Sequence, residues 1–95
     1  MEYILFIHDN INSPTSTEQW DEFFVAANKS GIFDGGSEIG NRIQIGSKLV
    51  TSITDSVGGY MRFTTDDINR IHKLLELHPI LIQGGTLELC EMPKS

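Results

Sequence analysis

The sequence predicts an α+β fold, and three observations predict it. Two stretches carry apolar residues at helical spacing, one from about Ser16 to Ser30 and one after Thr64 or Thr65. They are separated and flanked by runs of strand-favouring residues, among them Glu2–His8, Ser56–Phe63 and Thr86–Met92. The last two runs are each introduced by paired glycines, Gly58-Gly59 and Gly84-Gly85, as where a strand bends or another backbone comes close. The resulting order is strand, helix, strand with hairpin, strand, helix, strand. That is the split βαβ, or ferredoxin-like, arrangement βαββαβ with an added hairpin, both helices covering one face of an antiparallel sheet.

Taken in order, Glu2–His8 is apolar on both parities, with Tyr3, Leu5 and Ile7 on one side and Ile4 and Phe6 on the other. Such a strand calls for cover on both faces. Thr15, Ser16 and Thr17 are candidate N-caps, and Ser16 with Gln19 or Thr15 with Glu18 has the spacing of a capping box. Trp20, Phe23, Phe24 and Ala27 form the apolar stripe of the first helix, and Gly31 suits its left-handed terminus. A weaker strand signal runs from Gly35-Gly36 to Gly40. Arg42–Ile45 and Lys48–Ile53 flank Gly46-Ser47, which predicts a two-residue hairpin.

The second helix carries Asp66 and Asp67 at its start and Ile68, Ile71, Leu74 and Leu75 on its buried face. His78 falls in its last turn, and Pro79 stops it. Ile80-Leu81-Ile82 leads to Gly84-Gly85 and the final strand.

Ninety-five residues make one domain, residues 1–95. A net charge of −6, with seven scattered basic residues, argues against nucleic acid and against an anionic membrane surface. No apolar run approaches the ~20 residues of a membrane span, and the N-terminal run lacks the flanks of a secretory signal. One cysteine, Cys90, excludes an internal disulfide and suits a reducing cytoplasm. Dispersed histidines and a single cysteine give no metal-ligand spacing, and no phosphate-binding loop or nucleophile elbow is present, so neither metal nor cofactor is expected.

Two helices cover one sheet face only. The simplest cover for the other is a second copy of the sheet, giving a homodimer with a barrel-like interior. Several pieces of the chain add a family resemblance: Glu2–Ile7 followed by Asp9, Gly31 through Gly36, Thr54-Asp55, Gly58-Gly59-Tyr60, and Gly84 through Leu89. In this order they resemble the YCII-related family, or DGPF-type domain, over nearly the whole chain. The resemblance implies a dimeric α/β barrel and a cleft in each subunit or at the interface, proposed as an active site in some members. Asp9 matches the aspartate of their His-Asp pair. The histidine of that pair lies in their first helix, and this chain has none there.

Candidate chemistry follows from strand parity. Asp9 and His8 are the candidate catalytic residues, for proton transfer at a strand end. Tyr60, Arg62 and Glu88 share the face away from the helices, so Arg62 either pairs with Glu88 or offers a fork to a ligand carboxylate. Arg42 is a further ligand candidate. The leading expectation is a homodimer that binds a small anionic or polar molecule in a barrel-side cleft. The alternatives are a lyase- or isomerase-type enzyme using Asp9 or His8, and an interaction module without catalysis.

Overall fold

In the computed structural model, which describes residues 1–51 and 54–94, seven elements form. They are β1 (Glu2–His8), α1 (Thr17–Ser30), β2 (Phe33–Glu38), β3 (Val57–Thr64), α2 (Ile68–Leu75), α3 (Pro79–Ile82) and β4 (Thr86–Met92). The strands make one sheet in the order β2-β3-β1-β4, every neighbouring pair antiparallel. This is the expected ferredoxin-like topology.

The helices form where capping and periodicity place them. Ser16 is the N-cap of α1, and the reciprocal capping box with Gln19 is complete. Gly31 ends the helix at φ 74°, a conformation that carries little penalty only without a Cβ. Asp67 caps α2, its carboxylate accepting from the Asn69 N–H at 3.0 Å. The core joins Tyr3, Leu5 and Ile7 of β1 and Met61 and Phe63 of β3 to Phe23 and Ala27 of α1 and to Ile71, Leu74 and Leu75 of α2. Leu5, Phe23, Phe63 and Ile71 are fully buried, so their apolar area contributes most to stability.

On the other sheet face Ile4, Phe6, Tyr60 and Cys90 are half-buried, with no layer of the described residues over them. Polar pairs flank this apolar centre, Arg62 with Glu2 at 3.4 Å and His8 with Glu88 at 3.0 Å. The expected Arg62–Glu88 pair is therefore not made: both parities are as read, but each residue takes a nearer partner.

Two further expectations differ from the structure. Residues 42–45 and 48–51 form no strand, and Ile43 and Ile45 stand 85% and 92% exposed. The Gln44 amide closes this loop instead, donating to the Val50 carbonyl and accepting from its N–H. Residues 52 and 53 of the expected hairpin lie outside the described residues. His78 is not in the last turn of α2, which ends at Leu75. It is the N-cap of α3, with Pro79 in the first turn, where a missing N–H is harmless. Ile80–Ile82, which leads to Gly84-Gly85, is thus helical.

Candidate functional site

The register of β1 against β3 is regular from Glu2↔Thr64 to Ile7↔Gly59, then shifts so that His8 faces Val57. Gly58 is the residue left over, a bulge of the kind that bends a strand and re-aims side chains. Just beyond it the Asp9 N–H donates to the Ser56 carbonyl at 2.7 Å. The Asp9 carboxylate lies directly against the Cα of Gly58, in the space a Cβ there would fill. A glycine is required for this close approach.

Asp9 stands at a cleft of about 420 Å³ between the sheet and α1, within the range of small-molecule sites. Ile7, Met61 and Ile80 form its floor, and aromatic rings of α1 and β2 form its wall. Trp20 stacks on Phe24 at 5.8 Å and 25°, and Phe33 lies 6.1 Å from Phe24. The Trp20 Nε1–H donates to Thr15 Oγ1 at 3.0 Å, which holds the indole where the capping box sets the start of the helix. Asp9 and Glu38 bring carboxylates to the cleft, and Ser37 and Tyr60 border it from β2 and β3. The cleft carries two carboxylates and no basic side chain among its described lining residues.

Of the candidate residues, Asp9 brings its side chain to this cleft, while Tyr60 borders it from β3 with its side chain on the uncovered face. Arg62 is on the uncovered face, paired to Glu2. Arg42 donates to the backbone carbonyls of Thr54 and, at 2.6 Å, Val57, which ties its loop to the start of β3. Glu88 meets His8, whose other ring nitrogen, Nδ1, lies 2.8 Å from Ser56 Oγ. His8 and Asp9 thus serve different surroundings. The aromatic wall went unread as a site because Trp20 and Phe24 fit a core stripe; Phe24, at 38% exposure, is an aromatic the core does not absorb. Nothing in the sequence signals the Ser56–His8 contact, which spans 48 positions.

Among the described residues no group of three or more His, Cys, Asp or Glu is placed to hold a metal ion. Among the described residues no helix is long and apolar enough to cross a membrane.

A scan against models of protein families finds no match, and a search of curated proteins finds none. Among solved structures, the chain is similar to 5-chloro-2-hydroxyhydroquinone dehydrochlorinase (TftG) from Burkholderia phenoliruptrix AC1100, in complex with 2,5-dihydroxybenzoquinone. The TM-score is 0.50 and the identity 14%, over 100% of this chain and 96% of that one. At this identity the likeness is one of fold.

Proposed function

We propose that residues 1–95 act as one YCII-like domain that binds a small, neutral, hydroxylated ring compound in the Asp9 cleft. The observation that carries this is an aromatic-walled cleft with a carboxylate at its mouth. The rings supply flat apolar surface for stacking, and Asp9 accepts a hydrogen bond, or the proton, of a phenol or enol. Two carboxylates and no cation disfavour an anionic ligand, so the polar branch of the sequence expectation is the one retained. With Asp9 as base, the cleft suits a lyase- or isomerase-type proton transfer. The neighbour of like fold was solved with a dihydroxyquinone, a ligand of the size this cleft accommodates.

The same reading has two copies meet through the uncovered sheet face. Its apolar centre and polar flanks have the layout of an isologous contact.

A thermal-shift series tests the ligand class. Hydroquinones and catechols should raise the melting temperature in proportion to RT ln(1 + [L]/Kd), about 2.7 kcal/mol at a hundredfold excess over Kd. Asp9→Asn should lose most of that shift. Stabilisation by small carboxylates with none by phenols would overturn the reading.

A further inference from the structure

The uncovered face holds a second cluster that the cleft does not use. His8 closes β1, opposite Thr86 of β4, and Glu88 is its diagonal neighbour on the same face. The His8 ring takes Glu88 Oε1 at 3.0 Å on Nε2 and Ser56 Oγ at 2.8 Å on Nδ1. These partners fix the tautomer: Nε2–H donates to the carboxylate, and Nδ1 accepts from the hydroxyl. A hydroxyl, an imidazole and a carboxylate, in that order, make a nucleophile, a base and an orienting acid.

Burial alone does not call for this chain of contacts. The His8 side chain is 19% exposed and needs partners. Glu88, at 57%, and Ser56, exposed in the turn before β3, are both solvated without it. The Ser56 hydroxyl is open to an incoming substrate, while the ring behind it is held from both sides.

We propose that Ser56, His8 and Glu88 form a second, acyl-transferring site for small activated esters, separate from the Asp9 cleft. Ser56 Oγ attacks the ester carbonyl carbon as its proton passes to Nδ1, and Glu88 stabilises the imidazolium. The tetrahedral intermediate collapses with cleavage of the bond to the aryl oxygen. That oxygen leaves with the bonding pair and takes the proton from Nδ1. Water then adds to the acyl-serine with His8 as base, the acid departs, and Ser56 recovers its proton. An aryl ester is the fitting class, because its leaving group departs readily from an open turn.

The probe is 4-nitrophenyl acetate with the full chain. The expected result is a burst of nitrophenolate, with an acetyl group located on Ser56 by peptide mass spectrometry. Ser56→Ala should abolish both; it leaves intact the backbone carbonyl that accepts from Asp9, and a circular dichroism melt checks its fold. His8→Asn should slow acylation by about 100-fold or more. Glu88→Gln should slow it less, since that carboxylate is screened by water, at an unchanged melting temperature, which a purely structural contact would not do. The proposal is overturned by acetyl on a lysine or on His8 in place of Ser56, by no burst, or by wild-type rates in His8→Asn. Asp9→Asn should leave the burst intact, which separates this site from the cleft.

Discussion

Acidification should destabilise this protein through one residue, His78. Its side chain is fully buried, and its Nδ1 accepts the Ile80 N–H at 3.2 Å as the cap of α3. Nε2 is buried with no hydrogen-bond partner among the described residues. The ring's neighbours are Phe23 at 4.7 Å and Trp20 at 5.1 Å, both edge-on. A proton on Nδ1 would set two donors against each other and place a charge among aromatic rings. Burial accordingly pushes the pKa down from 6.5 to about 4.

The sign follows from linkage. Between pH 6.5 and 4 the unfolded chain binds a proton that the folded chain refuses, so stability rises with pH across that window. The contribution is complete above pH 6.5 and is lost as pH falls toward 4. At 1.36 kcal/mol per pKa unit the full loss is about 3 kcal/mol, of which about 2 is gone by pH 5. For a domain with roughly 5–15 kcal/mol in total this is large, and it should lower the melting temperature by roughly 10 °C.

The assay is urea denaturation at pH 7.5, 6.5, 5.5 and 5.0 on wild type and His78→Asn. Asparagine keeps a capping acceptor and has no proton to gain in this range. It loses aromatic packing, which offsets the variant by a constant, and the carboxylates common to both chains cancel. The stability gap between wild type and variant should therefore narrow by about 2 kcal/mol from pH 7.5 to 5.0. A gap that stays constant would refute the reasoning, as would a folded-state NMR titration of this ring with a midpoint near 6.5.

Two further outcomes follow from the geometry. Gly58→Ala should leave the melting temperature nearly unchanged, because the added methyl meets the movable end of an exposed aspartate and not backbone. It should nonetheless remove phenol-induced stabilisation as fully as Asp9→Asn does, and retention of that stabilisation would show that the position of Asp9 is immaterial. Phe6→Lys puts a charge at the centre of the uncovered face, so it should shift sedimentation at tens of micromolar from two copies to one; identical profiles for wild type and variant would dispose of the sheet-to-sheet contact.

Most of the fold was legible because its signals are local. The capping box at Ser16 and Gln19, the stripe from Trp20 to Ala27 and the glycine at position 31 each act within a few residues. The hairpin expected around Gly46 failed for a non-local reason. Ile43, Ile45, Leu49 and Val50 have strand-like character, yet they remain exposed and no described residue covers them. Period-two patterning needs a layer to pack against. His78 escapes a local reading because a proline next to a helical stripe suits a stop, whereas Pro79 here opens α3 and α2 has already ended at Leu75.

The candidate chemistry was legible in part, and the bulge explains which part. From Glu2 to Phe6 the β1–β3 register is regular, and parity correctly assigned Arg62 and Tyr60 to the face away from the helices. That regular stretch yields only an exposed ion pair, Arg62 with Glu2, of little energetic weight. At Gly58 the count breaks while the β1–β4 ladder continues unbroken to His8↔Thr86. One edge of β1 thus stays in step and keeps Glu88 within reach of His8, while the other slips by a residue. The slip sets Asp9 against Gly58 at the cleft and Ser56 against the histidine ring. Both candidate clusters gather where the β1–β3 alternation fails, so an argument from alternation finds Asp9 and His8 by their position at a strand end and cannot find what they touch.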